Sequence, residues 1–386
     1  MIAFLILLIL VLAVLAIDFV PEFDTWQSRI KIGRWQDQNV WRKKLLERSI
    51  AWLKKTPTIK LTDNKRLIVI DMIRGNYKRS AIQHWQQAAL LLGLIEAYEK
   101  TGDAATKKQI DAFIDSKIDS SGQWKQTPRE IDGVILAYAL MKADPENRNK
   151  PAYDAIWELI QSLVGDDGTV QYRKHMPDYR YVDTIGFICP FLIRYGIVNQ
   201  NENAVELSCR QIEAFNENGM YHGGFIPCHT YNRKTGMTSG LYGWGRGLGW
   251  YAIGLIDAWR ELPEQHPQKM MLTESVKKFA PAAISFQQPG GAWNWLITNN
   301  NTTPDSSATA TLAWLLSEAS SIPEIAEQCT TAKNKALQYL MKVTKRDGAI
   351  DLSQGDTKGI GIYSHEFGIL PFTQGFALRT AYRESN

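Results

Sequence analysis

The strongest constraint on this chain is a helix-length apolar periodicity that is broken repeatedly by one kind of loop. Apolar residues return at three- and four-residue spacing over residues 41–55, 82–101, 104–117, 130–143, 152–164, 182–195, 203–216, 247–262, 270–286, 307–320, 324–343 and 370–382, the mark of amphipathic helices. Odd-numbered stretches, from the third on, end in Ser121-Gly122-Gln123-Trp124, Asp167-Gly168-Thr169-Val170, Asn218-Gly219-Met220-Tyr221, Gly290-Gly291-Ala292-Trp293 and Asp347-Gly348-Ala349-Ile350. Each break has a glycine stop followed by an apolar or aromatic residue. The breaks lie 46, 51, 72 and 57 residues apart, so the repeat is a helical hairpin of roughly 50 to 60 residues. Six hairpins closed into a ring give an all-α (α/α)6 toroid, the fold this pattern predicts. An open solenoid is the alternative, but its repeats more often share a regular length and a consensus.

The hairpin repeat also settles how to read the length. At about 150 residues per domain, 386 residues allow two or three domains, whereas the repeat predicts one large domain over 40–386. Apolar residues make up 45% and charged residues 22%, which excludes disordered, collagen-like and multi-spanning membrane chains. The 13 Trp are enough to fill a core and also to line a site with flat rings. Basic residues number 44 against 40 acidic ones. With no basic stripe or motif for nucleic acid, nucleic acid is not an expected partner. Cys189, Cys209, Cys228 and Cys329 form no CxxC pair, and no two His stand at i, i+4. Neither metal nor organic cofactor is expected.

The N-terminus departs from the repeat. Ile2 to Ile17 is uncharged and apolar, closed by Asp18 and Pro21, and as a helix it spans roughly 24 Å against a bilayer core of about 30 Å. Phe19 and Val20 extend it. Residues 1–21 therefore read as a membrane anchor or signal segment, and 22–39 as a linker. No Lys or Arg precedes the run, which favours an uncleaved anchor through residues 2–20 over a signal peptide. A buried core helix is the other alternative. The flank Arg29, Lys31 and Arg34 favours a cytoplasmic C-terminal side, with export still open. The expected location is the bacterial inner membrane.

In a closed toroid the even helices form the inner ring, and their N-termini meet at one mouth. Those six N-termini are rich in polar and aromatic residues: His84 and Gln86; Asp132; Asp183; Trp244, Arg246 and Trp250; Asp305, Ser307 and Thr309; and Tyr363 and His365 ahead of the last. Asp132 and Asp183 both open strongly apolar helices, where helix capping is the plain explanation. Two of them on neighbouring inner helices also suit a carboxylate pair, the usual equipment for cleaving glycosides. His229 lies in a loop. The glycines of Trp244-Gly-Arg246-Gly-Leu-Gly-Trp250 lack the Lys-Ser or Lys-Thr of a phosphate loop. They suit close backbone approach, with Arg246 aimed at a carboxylate.

These residues carry a resemblance. Trp244-Gly-Arg246-Gly-Leu-Gly-Trp250 followed by Ala252-Ile253-Gly254-Leu255, Tyr181-Val182-Asp183-Thr184 with Pro190-Phe191-Leu192, Ser306-Ser307-Ala308-Thr309-Ala310, and the stretch from Gln86 to Asp103 resemble glycoside hydrolase families 88 and 105. Those families are unsaturated glucuronyl and rhamnogalacturonyl hydrolases. The resemblance implies hydration of the C4=C5 double bond left in a uronic acid by a polysaccharide lyase. It also implies Asp183 as the acid/base and Asp132 as the second active-site aspartate. His229, Arg246, Trp244, Trp250, Gln86, His84, Tyr172, Ser307 and Thr309 are then the substrate-binding residues, and the partner is an oligosaccharide or polysaccharide, acidic in character. The chain has Tyr172 where the family often has His, and Asn232 where Asp is common. Relatives with an apolar N-terminus occur in exopolysaccharide biosynthesis, which fits the anchor. Two other readings are carried with this one: an inverting glycosidase using Asp132 and Asp183, and a non-catalytic saccharide-binding component of polysaccharide biosynthesis or export.

Overall fold

A computed structural model of the chain describes residues 1–60, 62–75 and 80–383. The last three residues of the expected 40–386 domain lie outside the described residues. The helices in chain order are α1 (Ile2–Arg29), α2 (Gln38–Lys54), α3 (Ile68–Ile73), α4 (Ser80–Thr101), α5 (Ala104–Lys117), α6 (Val134–Ala143), α7 (Lys150–Gln161), α8 (Val182–Asn199), α9 (Glu202–Asn218), α10 (Gly245–Glu261), α11 (Lys269–Ser285), α12 (Ser306–Ala319), α13 (Ala326–Lys342) and α14 (Pro371–Arg383). With α1 and α3 set aside, the remainder form six hairpins. The inner members α4, α6, α8, α10, α12 and α14 each pack on the next, and α14 packs back on α4. The expected (α/α)6 ring is therefore closed.

The glycine breaks have a shared cause. At Gly122, Gly168, Gly291 and Gly348 the backbone is left-handed, a conformation open to glycine at no steric cost. The chain then turns back to bridge the end of the outer helix, pairing Ile118 with Trp124, Val164 with Val170 and Thr344 with Ile350. At Gly291 a Cβ would also meet the Lys335 carbonyl oxygen at 2.2 Å. The fifth break, Gly219, is different: its φ is −107°, and it leads into a two-stranded ladder of β2 (Met220–Tyr221) with β3 (Ile226–Pro227).

Ring closure is tight. A Cβ on Gly375 of α14 would lie 2.1 Å from the Ala89 carbonyl carbon of α4, and one on Gly93 2.6 Å from the Gly375 carbonyl oxygen. The two backbones meet with no room for a methyl group. Gly375→Ala is expected to lower stability by about 1–3 kcal/mol through overpacking, read as a lower urea midpoint.

The far end of the ring, where the inner helices end, is sealed by buried charge. Arg379 donates to Asp257 (2.6 Å), and the Trp314 indole donates to the other oxygen of Asp257 (2.9 Å). Arg260 pairs with Glu96 (2.9 Å), and Arg194 and Lys142 pair with Glu261 (2.8 and 2.9 Å). Cations here also suit the negative ends of the helix dipoles. The free cysteines Cys189, Cys209, Cys228 and Cys329 are all buried.

The N-terminal segment differs from expectation in extent. Helix α1 does not close at Pro21 but carries it inside and runs on to Arg29. Residues 22–39, read as a linker, are instead docked on the toroid. Arg29 makes a bidentate pair with buried Asp351 (2.7 and 3.0 Å), which ties the end of α1 to the toroid. Gly33 N–H and the Trp35 indole both donate to the Thr344 carbonyl (3.0 and 3.1 Å). Helix α3 was not foreseen. Helix α8 is long and apolar enough to cross a membrane, but it is an inner-ring helix with its side chains in the core.

Candidate active site

A small antiparallel sheet brings the central residues together. Its strands are β1 (Tyr179–Tyr181), β4 (Thr230–Asn232) and β5 (Thr238–Ser239), in the order β1-β4-β5. Tyr181 faces Thr230, and one residue on, the Val182 N–H donates to the His229 carbonyl (3.0 Å). This register sets His229 beside Asp183 in the first turn of α8. His229 Nε2 lies 3.6 Å from Asp183 Oδ2.

Asp183 does not cap its helix, since no side-chain cap bond is made at the α8 N-terminus. Its Oδ2 is buried with no hydrogen-bond partner among the described residues. Burial pushes the carboxyl up to about 7; its own N–H and Arg246 pull it down, and the charges of Asp132 and Asp356 add to the rise. A carboxyl so placed holds a proton near neutrality and can give it up.

Asp132 is held in a different way. It lies in a 3-10 turn (Ile131–Gly133) leading into α6. It accepts the Tyr172 hydroxyl (2.5 Å) and the Arg173 guanidinium (2.7 Å). Arg173 also stacks over the Tyr172 ring at 3.8 Å and reaches Glu130 at 3.2 Å. Burial and the Asp132 charge hold the Tyr172 hydroxyl well above its ordinary value, so it remains a donor. The two aspartates thus divide: Asp132 is fixed by two partners, and Asp183 has an oxygen to spare.

His229, expected in a loop, is almost fully buried. Burial, with Arg246 nearby, pushes its imidazole down to about 4, so at neutral pH the ring is uncharged and its contact with Asp183 is not an ion pair. Its Nδ1 faces the Tyr363 hydroxyl. That hydroxyl accepts the Leu241 N–H (2.9 Å) and lies 3.2 Å from His229 Nδ1. The hydroxyl can still donate to Nδ1 or accept from it, so Nε2, on the Asp183 side, carries the N–H in one tautomer and a lone pair in the other.

His84 joins the group. Its Nδ1 is buried without a hydrogen-bond partner among the described residues. Burial lowers its pKa, Lys117 adds to the effect, and the Asp132 charge opposes it.

Other expected contacts lie behind the mouth. Trp250 is buried within the ring, its indole 4.4 Å from Phe187, 4.8 Å from Phe372 and 5.5 Å from Trp85. It forms a floor and not a stacking face, because it stands more than a turn inside α10. Trp244 is buried too, donating to Gln354 Oε1 (2.9 Å) with its ring 4.8 Å from His229. Arg246 gives its guanidinium to the carbonyls of Gln354 and Gly355, so it holds that loop over the site. Gln86 is fully buried and accepts the Phe372 N–H (2.7 Å), fastening the start of α14. Ser307 donates to Asp305, the α12 cap, while Thr309 ties the Asp305 carbonyl to Trp293 N–H. Both are buried structural hydroxyls. The residues that sequence reasoning left unassigned are Tyr363, Arg173 and Gln354.

A large cavity, about 720 Å³, lies beside this site, walled by α1, residues 58–68 and the 353–370 loop, and it contains neither Asp132 nor Asp183. Of its five acids, Asp63, Glu366 and Glu22 pair with Lys358, Lys65 and Arg66, Asp18 accepts two backbone N–H groups, and Asp24 is exposed. Asp183 differs from these acids in having a buried Oδ2 without a hydrogen-bond partner among the described residues. Among the described residues no three His, Cys, Asp or Glu converge to hold a metal ion.

Comparison with known proteins fits this geometry. The model of Glycosyl Hydrolase Family 88 matches residues 59–368. The unsaturated rhamnogalacturonyl hydrolase YesR of Bacillus subtilis is 22% identical over 300 residues, covering 75% of this chain and 84% of the relative. A possible GH105 family member from Salmonella enterica serovar Paratyphi A superimposes with a TM-score of 0.76 at 18% identity, over 91% of this chain and 94% of that one. The unsaturated glucuronyl hydrolase of Bacillus sp. GL1 does so with a TM-score of 0.67 at 17% identity, over 90% and 96%. With a closed six-hairpin ring and a family match over most of its length, the chain is a glycoside hydrolase and belongs to Glycosyl Hydrolase Family 88.

Proposed function

We propose that the enzyme removes an unsaturated uronic acid from an oligosaccharide by hydrating its C4=C5 double bond. The observation that carries this reading is the unpaired carboxyl of Asp183, raised to about 7. Asp183 gives its proton to C4, and the developing charge at C5 is shared with the ring oxygen. Water adds at C5 and passes its proton to the Asp183 carboxylate, which restores the acid. The C5 hemiketal opens, and the hemiacetal left at C1 releases the rest of the saccharide. His229, uncharged and 3.6 Å from the Asp183 oxygen, lines the site beside it, and Asp132 fixes ring hydroxyls or the water. Arg173, with a side chain one-quarter exposed, is a cation within reach of an acidic sugar. An inverting glycosidase needs a second carboxylate free to activate water, whereas Asp132 is engaged by Tyr172 and Arg173.

The test uses oligosaccharides made by polysaccharide lyases, following the ultraviolet absorbance of the double bond. Steady loss of absorbance with release of the shortened saccharide is expected. Binding without loss, across several uronates, overturns the hydrolase reading and favours a saccharide-binding component. Tyr363→Phe removes the hydroxyl that meets His229 Nδ1. Turnover is expected to fall about tenfold with little change in KM, and the Nδ1 resonance of His229 should shift on losing its partner.

The same reading includes attachment to the bacterial inner membrane through residues 2–20 and work in an exopolysaccharide pathway. Its support is the apolar half of α1, whose side chains are exposed almost throughout, a state that lipid relieves.

A further inference from the structure

Large exposed apolar side chains cluster in one place outside the ring. Beyond α1 itself, Leu67, Ile70, Met72 and Ile73 are exposed, Ile73 at 81%. They belong to α3 and its first flanking residue, while Ile68 and Asp71 on the other side of α3 are buried. Asp71 accepts from Thr62 and Asn64 (3.0 and 2.7 Å), which fixes the polar side inward and the apolar side out.

The position of α3 along α1 is equally defined. Asp18, the first charge after the apolar run, is buried and accepts the N–H groups of Leu67 and Ile68 (2.7 and 3.0 Å). Arg66 lies over the Phe19 ring at 4.5 Å and pairs with Glu22 at 3.3 Å. Helix α3 therefore starts at the level where α1 changes from apolar to charged. In a bilayer that level is the headgroup boundary, where amphipathic helices lie with apolar side chains down and cations at the phosphates. Arg66 and the exposed Arg74 flank α3 on either side.

We propose that α3 is a second, interfacial membrane element: Leu67, Ile70, Met72 and Ile73 enter the headgroup–acyl boundary of an anionic bilayer beside α1. The proposal rests on the membrane reading of α1. Its consequence for the enzyme runs through the segment just before α3. Asp63 accepts Ser364 Oγ (2.7 Å), and Lys65 pairs with Glu366 (2.7 Å). These clamp the loop that carries Tyr363 onto His229. The lipid contact thus sets the height of the mouth loop above the membrane, and it suits saccharides presented at the lipid surface.

The test uses the full chain reconstituted in phosphatidylcholine–phosphatidylglycerol vesicles. Because the native cysteines are buried, a fluorophore can be placed at Ile73→Cys, Leu8→Cys or Met270→Cys. Met270 is exposed on the outer helix α11. With a nitroxide near the lipid headgroup, the label at position 73 should lose most of its emission and the label at 270 none. With a nitroxide deep in the acyl chains, the label at position 8 should be quenched. Quenching at 8 without quenching at 73 overturns the proposal and leaves the anchor standing. No quenching at 8 overturns the anchor reading itself and the proposal with it. Unquenched label at 73, together with disulfide-linked dimers of the unlabelled Ile73→Cys protein, means that a second copy covers this face, which also overturns it.

Discussion

Asp183→Asn should lower turnover of an unsaturated uronyl oligosaccharide by about 10³-fold, the middle of the range for losing a positioned general acid–base, with substrate still bound. Turnover of the parent enzyme should fall as pH rises through about 7, because the proton to be donated is then lost. The same substitution should stabilise the fold. A carboxyl raised on folding binds its proton more tightly in the native state than in the unfolded chain. Native stability therefore declines as pH climbs from the ordinary carboxylate range through about 7, and above that the desolvated carboxylate weighs fully against the fold. Its side chain is 15% exposed, so water relieves part of this. The gain in Asp183→Asn is then on the order of 2 to 4 kcal/mol at pH 8, and near zero at pH 4. Thermal melts of both proteins at the two pH values check it. Equal melting at pH 8 would show that burial does not raise the Asp183 carboxyl.

Asp257→Ala should be the most damaging change away from the mouth. Asp257 is fully buried on α10 and receives Arg379 of α14 on one oxygen and the Trp314 indole of α12 on the other. Removing it leaves a buried guanidinium, already without hydrogen-bond partners at Nε and Nη2 among the described residues, with a longer contact to Glu96 (3.9 Å) in its place. Breaking such a pair from one side costs about 3–5 kcal/mol. A urea titration should show this loss, and restoring apolar packing with the double change Asp257→Leu, Arg379→Met should recover much of it. If Asp257→Ala unfolds at the parent midpoint, the charged plug contributes nothing to closing the ring.

Much of the ring was legible because its helices are long and strongly periodic. Helix α5 has the expected ends, and α8 begins at the expected Val182. Helix α3 was invisible because its six residues hold no period, and its N-terminal cap, Asp18, comes from a partner 50 residues away in sequence. Pro21 reads as a stop in sequence, yet the helix carries it in the turn that leaves the apolar run. At the site, Asp132, Asp183, His229, His84 and Tyr172 converge as their positions suggest. Trp250, Gln86, Ser307 and Thr309 do not. Sequence places a residue near the start of an inner helix but not the direction in which it points around that helix. Those four point to neighbouring helices and loops. Tyr363 sits in an aperiodic loop, and its part in the site depends on a contact with His229 across 134 positions.

The seam between α4 and α14 has a kinetic consequence. It joins the earliest inner helix to the latest, so the inner-ring contact with the greatest sequence separation is also the one that completes the ring. Loop-closure entropy must be met before that contact gives anything back. During synthesis the first five hairpins can gather as an open arc with two bare apolar edges, and the mouth cannot assemble until α14 emerges. A chain stalled before Gly375 is then both inactive and sticky, and it is an expected client for chaperones.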